Sequence, residues 1–404
     1  MVYTIKYICF GGAMQERHVL ISGAGIAGPA AAYWLARFGY QPTVVERARA
    51  LRPGGQAVDF RGPAHLGVLA RMGILDEIRR QESRGGSVSF VNASGAPVAT
   101  MSDEVASGDV EILRGDLGRV LFDATADSTE YVFGDSITGL EELPDGVHVT
   151  FQRHEPRVFD LVIGADGLHS AVRTLAFGPD AEYLRHLGYY VAVSSATATP
   201  GAKAGGMLYS VPGRTAGMFT HRGHARTIFY FASPEIAYDR HDTGAQRRIV
   251  AERFRGMGWE TPRLVTEMLG ASDFYFDAIG EVRMKAYSKG RVALLGDAGY
   301  GGTIGGMGTG LAVVGAYILA GELAVAQGDY SAAFARYEQR IRGYAELCQR
   351  GARGVGGFMA PKTSAGIWFR NHMLRAAYLM PGRGMMEKIA LKRASAVTIG
   401  EYPA

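Results

Sequence analysis

The run HVLIS at 18–22 reads as a buried strand. It leads through GAGIAG into an Ala-rich stretch of helical period that reaches Phe38, where Gly39 stops it. Pro42–Val45 forms a second strand that ends at Glu46. This strand–helix–strand unit is the kind that builds a parallel sheet. A loop rich in Gly and Pro follows over 51–62. Leu66, Leu69, Met72, Leu75 and Ile78 then share one face, which predicts one helix over roughly 64–81. Alternating segments at 86–100 and 130–163 predict strands, with Pro144–Asp145–Gly146 as a hairpin turn, and the stretch 112–125 between them reads as a helix. From about 183 to 232 short β-rich stretches are broken by Gly, Ser and Thr. Helical segments return at 243–270, strands at 274–285 and 291–296, and helices dominate from 309.

A β-rich insert in an α/β frame predicts a discontinuous cofactor domain, 14–182 plus 286–345, around a substrate domain at 183–285. A helical segment at 346–404 closes the chain, its basic residues outward, and residues 1–13 ahead of Met14 read as an N-terminal extension.

Composition narrows the function classes. Of the 404 residues 47% are hydrophobic and 20% charged, which excludes a disordered chain. A net charge of +4 makes no case for nucleic acid. Cys9 and Cys348 are too few for a disulfide scaffold or a four-cysteine zinc site, and reduced thiols suit the cytoplasm. Lys6 interrupts the apolar N-terminus, against a signal peptide. The apolar run 310–326 approaches spanning length, but Glu322 and its small residues predict a buried helix rather than an integral span. His221 and His224 form HxxH without a cysteine or acidic partner, so no metal site is expected.

Three motifs carry the chemistry. In the first, Gly23 permits a tight turn, Gly25 lets a pyrophosphate approach the backbone, and Gly28 allows close helix–strand packing, with Ala27 at the helix start. Glu46, 18 residues past Gly28, is placed for ribose hydroxyls, with Arg47 beside it in the same set. The fingerprint alone does not separate FAD from NAD. The second motif is DLVIGADGLHSAVR (160–173) and the third RVALLGDA (291–298), followed by a Gly-rich loop over 299–308 and a helix from Thr309.

Together these resemble the class A flavoprotein aromatic hydroxylases, the family of p-hydroxybenzoate hydroxylase and the tetracycline-inactivating monooxygenases, over most of 14–345. The resemblance implies an α/β chain with a Rossmann-like FAD-binding domain of the p-hydroxybenzoate hydroxylase fold. It implies FAD as cofactor, with Asp166, Arg114, Gly296 and Asp297 in the site and Arg173 near the nicotinamide. Gly308, Thr309 and Gly310 would open a helix toward the flavin, whose dipole stabilises negative charge there. NADPH or NADH would serve as transient reductant and molecular oxygen as co-substrate, through a flavin C4a-hydroperoxide. The implied substrate is an aromatic or polycyclic small molecule in natural-product metabolism or antibiotic inactivation, handled by a monomer or homodimer without a reductase. A redox-silent cyclase and a regulatory flavoprotein are the alternatives.

The third motif departs from the family pattern. Tyr300 stands at its usual histidine position, and no proline precedes Thr309, so a looser loop is expected. For the substrate pocket the alternating insert offers Met207, Tyr209, Met218, His221, Phe229 and Phe231, about half of which must face away, and Arg61 is a further candidate.

Overall fold

The computed structural model describes residues 17–52, 54–83, 86–103, 108–198, 204–221, 224–302, 307–379 and 397–403. The expected N-terminal extension, the middle of the loop 299–308 and much of the basic C-terminal stretch lie outside the described residues.

Two large sheets organise the chain. The first has six strands in the order Ser288–Lys289, Val292–Leu294, Leu161–Gly164, Arg17–Ser22, Tyr40–Glu46 and Glu130–Phe133. Four of its five pairings are parallel, and the strand Leu161–Gly164 is buried throughout, as a sheet covered on both faces requires. All three motifs therefore end on neighbouring strands of one sheet, although more than 100 residues separate them in sequence.

The second sheet has seven strands, in the order Phe274–Val282, Leu184–Ala196, His224–Ala232, Arg214–His221, Gly205–Val211, Val88–Val91 and Pro97–Met101. Its last two strands come from ahead of the insert, because Val88–Val91 pairs in parallel with Gly206–Tyr209. The β-rich unit thus exceeds the expected span 183–285. The expected boundary at 345 also falls inside one continuous helix, Tyr330–Ala352.

The single helix expected over 64–81 is two, Gly62–Arg71 and Leu75–Arg80. Gly73 between them has φ +73°, a conformation that ends a helix. The expected helix 112–125 begins as a strand, Val110–Leu113, and turns helical at Arg114.

The helix Gly308–Val325 is long and apolar enough to cross a membrane, yet 78% of it is buried within the molecule. It packs between the helices Ala27–Arg37 and Tyr330–Ala352. Its one carboxylate, Glu322, bonds Arg336 at 2.6 Å, Arg340 at 2.8 Å and the Tyr402 hydroxyl at 2.8 Å. Glu322→Ala should destabilise the protein by about 2–3 kcal/mol. Breaking a buried ion pair costs about 3–5 kcal/mol, and here the two arginines keep partial access to water. Urea titration reads this directly, and an unchanged midpoint would show that the cluster adds no stability.

Candidate cofactor site

The strand Arg17–Ser22 delivers the chain into Gly23, whose φ of +104° only glycine takes readily. A Cβ there would lie 2.6 Å from the Ala165 carbonyl oxygen, so the first turn is pressed against the second motif. A Cβ on Gly28 would lie 1.9 Å from the Gly23 carbonyl oxygen. Gly25 differs: only an Arg114 guanidinium nitrogen, at 3.8 Å, comes within reach of a Cβ there. The turn is tight at both ends and open in its middle. Ala27 begins the helix Ala27–Arg37, which points its free N–H groups into that opening. The Glu46 carboxylate closes the far side, accepting from the N–H of Ala24 at 2.9 Å and of Ala48 at 2.8 Å, while Arg47 is exposed.

In the second motif Asp166 spends its oxygens on protein donors, one of them Ser22 Oγ of the first strand at 3.3 Å. It accepts from Ser170 Oγ at 2.5 Å and from the N–H groups of Ala171 at 2.8 Å and Val172 at 3.2 Å, capping the helix Ala171–Phe177. Burial lifts its pKa above the ordinary value in spite of these bonds. Arg173 corrects the expectation of a nicotinamide contact. It is wholly buried and donates to the carbonyls of Ala298 at 2.8 Å and Leu168 at 2.6 Å, and to Asp180 at 2.7 Å. Its task is to tie the second motif to the third.

The third motif meets the first at Gly296, where a Cβ would lie 3.1 Å from that of Ala27 and 3.3 Å from that of Ala312. Asp297 follows, and its side chain is accessible although burial raises its pKa against the pull of Arg114. It lines a hollow together with Met307, Gly308 and Leu311. Arg114, at the start of the helix Arg114–Asp123, reaches toward Gly25 and acts electrostatically on Asp297. Gly308 opens its helix beside Asp297, its would-be Cβ 3.7 Å from Oδ1, with Thr309 half-buried next to it.

Sequence reasoning missed His65. Its ring lies under Gly310, where a Cβ would fall 2.1 Å from Cε1. Nδ1 accepts from the Arg61 N–H at 3.1 Å and Nε2 lies 2.6 Å from the Tyr344 hydroxyl. Burial, helped by Arg61, pushes its pKa down to about 4, so the ring is neutral. Arg61 itself pairs with Asp59 at 2.5 Å, both largely buried. Tyr300 corrects the expectation of a loose loop at its entry: it is buried, its hydroxyl 3.0 Å from that of Tyr337, and its carbonyl accepts from Gln349 at 3.0 Å.

Residues 16–348 match the FAD binding domain family. The chain belongs to that family. An uncharacterized Mycobacterium tuberculosis protein, Rv1260, is 43% identical over 340 residues, 82% of this chain and 91% of its own length. A flavin-dependent monooxygenase of Legionella longbeachae is 39% identical over 339 residues, 82% of this chain and 87% of its own. The crystal structure of tetracycline destructase Tet(51) superposes with a TM-score of 0.83 at 33% identity, covering 96% of this chain and all of that one.

The cradle suits FAD, the cofactor of this family. The open middle at Gly25, a helix N-terminus, a guanidinium and a deep accessible carboxylate match pyrophosphate and ribityl chemistry in turn. The seven-stranded sheet turns one face toward Arg114 and Asp297, the face that carries Tyr275 and Asp277. Strand pairing puts Arg226, Phe219 and His221 on that face too. Phe229 and Phe231 point the other way. They are fully buried in a core with Phe254, Leu264 and Met268 of the outer helices, and Tyr209 and Met218 pack on the same core. Met207, cross-strand from Met218, shares that face. The pocket expectation is therefore corrected for these five, and of the six only His221 remains on the inner face. Alternation restricts each strand to two faces, and the helices 243–253 and 261–270 decide which one is covered.

Proposed function

We propose that this chain is an FAD-dependent monooxygenase that uses NADPH or NADH and molecular oxygen to hydroxylate or epoxidise an aromatic or polycyclic small molecule. The observation that carries the reading is Asp297, deep yet accessible, facing Arg114 at the mouth of the helix Gly308–Val325 and under an independent sheet. The relatives named flavin-dependent monooxygenase and the tetracycline destructase likeness support it. Bound FAD would supply the redox chemistry, accepting hydride and activating oxygen.

The chain's own groups would do the rest. The Gly23–Gly28 turn and the helix after it hold the pyrophosphate, and Glu46 with Arg47 holds the adenosine ribose end. Arg114 neutralises phosphate, and Asp297 accepts from ribityl hydroxyls. The N–H groups of Gly308, Thr309 and Gly310 stabilise negative charge on the reduced cofactor, and neutral His65 supports that turn from below. The inner sheet face excludes water and presents the substrate. On this reading residues 14–182 and 286–345 form most of the cofactor unit, and the enzyme works in the cytoplasm as a monomer or homodimer.

The test follows nicotinamide absorbance with phenols, indoles, polyketides and tetracyclines. A true substrate should accelerate NAD(P)H oxidation and gain one oxygen atom, and a poor analogue should release hydrogen peroxide. Substrate binding can speed reduction only by favouring the reducible state. Conversion without mass change or nicotinamide loss would replace this reading with a cyclase.

A further inference from the structure

One polar cluster stands beside the residues read as the cofactor site. Asp277, on the strand Phe274–Val282, is largely buried, and its carboxylate meets His169 Nε2 at 3.1 and 3.2 Å. His169 belongs to the second motif, so the pair joins the two sheets. Toward the hollow, the Tyr275 hydroxyl lies 3.4 Å from Asp277 Oδ2. Tyr275 keeps 39% of its surface accessible, although burial pushes its pKa well above the ordinary value. Arg114 and Asp297 both act on it electrostatically, so its accessible side faces the hollow that they border. Away from the hollow, His169 Nδ1 lies 3.6 Å from Asp180, and the side chain is 26% exposed. Asp180 also bonds Arg173 and lies 4.0 Å from Arg240.

Hydroxyl, carboxylate and imidazole thus form one continuous line from the hollow to solvent, and each can give up one proton while taking another. The proposed reaction needs such a route. Written out, NAD(P)H, oxygen, a proton and the substrate give NAD(P)+, water and the oxygenated product, so each turnover takes one proton into an enclosed site. The geometry points to Tyr275, Asp277 and His169 as the path by which that proton reaches the cavity. Protonated His169 hands its proton to the Asp277 carboxylate, which passes one to the Tyr275 oxygen as Tyr275 releases its own inward. Neutral His169 is then reprotonated from water, so one proton moves inward, Asp277 ends ionised as it began, and no electrons move. Burial works against a charged His169, but hydrogen bonds to Asp180 and Asp277 outweigh it and raise its pKa, while Arg240 opposes them weakly. The ring is consequently charged on the acid side of a raised pKa and ready to donate.

This path rests on the reading of the site as an FAD-dependent oxygenase, and the test separates the two. Loaded with FAD and reduced anaerobically, the protein is mixed with oxygen from pH 6 to 9 and flavin absorbance is followed. Reoxidation to hydrogen peroxide also consumes one proton per reduced anionic flavin, so no substrate is needed. The wild-type rate should fall as pH rises through the pKa of His169. His169→Gln keeps a donor to Asp277 but cannot titrate. It should be about tenfold slower at pH 7, lose that pH dependence and regain rate with added imidazole. Tyr275→Phe leaves the ion pair intact and should show the same loss, which decides the matter if His169→Gln fails to hold FAD. Without the cofactor, histidine NMR should show His169 titrating above its ordinary 6.5 and returning toward it in Asp277→Asn. FAD-loaded variants with the wild-type rate and pH profile, or an ordinary His169 titration, would overturn the path alone. A chain that holds no reducible FAD would overturn the oxygenase reading and the path with it.

Discussion

Gly28→Ala should bind FAD at least about a hundredfold more weakly than the wild type and unfold at lower urea. The new methyl would sit 1.9 Å from the Gly23 carbonyl oxygen, with the Gly23 carbonyl carbon at 3.1 Å and the Ile21 side chain at 3.4 Å. Gly23 cannot retreat. Its N–H donates to the Val45 carbonyl at 2.7 Å, and the Ala165 carbonyl bounds its other side. Relief must come from the helix Ala27–Arg37 moving off the strand, which displaces the N–H groups offered to the pyrophosphate. Overpacking a tight core costs about 1–3 kcal/mol, and backbone neighbours put this site at the top of that range or above it. Gly25→Ala is the control: its methyl meets little but an arginine tip, so the fold should survive while FAD affinity falls. FAD fluorescence quenching and urea titration read both. Wild-type affinity in Gly28→Ala would remove the tight turn from the cofactor site.

Asp297→Asn should do two opposite things: weaken FAD binding about tenfold or more, and stabilise the protein without FAD. Loss of a charged acceptor from buried ribityl hydroxyls costs about 1–3 kcal/mol, which gives the first effect. The second follows from the raised pKa. Burial raises it, Asp277 adds to the rise, and Arg114 only partly opposes them. The folded state therefore holds the Asp297 proton more tightly than the unfolded chain does. Below the unfolded pKa there is no penalty; as pH rises through the folded pKa the charged form costs stability, and the full cost is present at neutral pH. Asparagine has no charge to bury, so its advantage should appear at pH 7 and fade near pH 3. Urea titrations of both FAD-free proteins at the two pH values measure it. A variant less stable than wild type at pH 7 would show that the Asp297–Arg114 attraction outweighs the burial cost.

These two effects sit at positions already legible in the amino-acid string, whereas the relay is not. Gly28 and Asp297 belong to local patterns with neighbours on either side. Asp277 has no pattern around it, and it acquires a role only because strand pairing carries it to His169, 108 residues earlier. His65 is similar: a lone histidine on a helix face, made relevant by Gly310 and Tyr344. Tyr300 read as the loss of a rigid loop, yet its hydroxyl is held by Tyr337 and its backbone carbonyl by Gln349, both from a helix whose register the local sequence does not announce.

The sequence by itself determined the strand–helix–strand unit, the order of the three motifs, the buried character of the helix 308–325 and the cofactor class. The unit and the buried helix rest on spacings within about thirty residues, where backbone geometry and hydrophobic period leave few choices, whereas FAD rests on the family resemblance that the three motifs carry together. The tertiary structure alone decided which face of the second sheet turns toward Arg114 and Asp297. Alternation supplied two equivalent faces, and only packing of the helices 243–270 on Phe229 and Phe231 chose between them. It also brought strands 88–101 into that sheet, split the helix 64–81 at Gly73, and turned Arg173 from a ligand candidate into a buried tie between motifs. Each of these was settled by packing or pairing that a local pattern does not specify, and for the sheet, its extra strands and Arg173 the partners lie far apart in sequence.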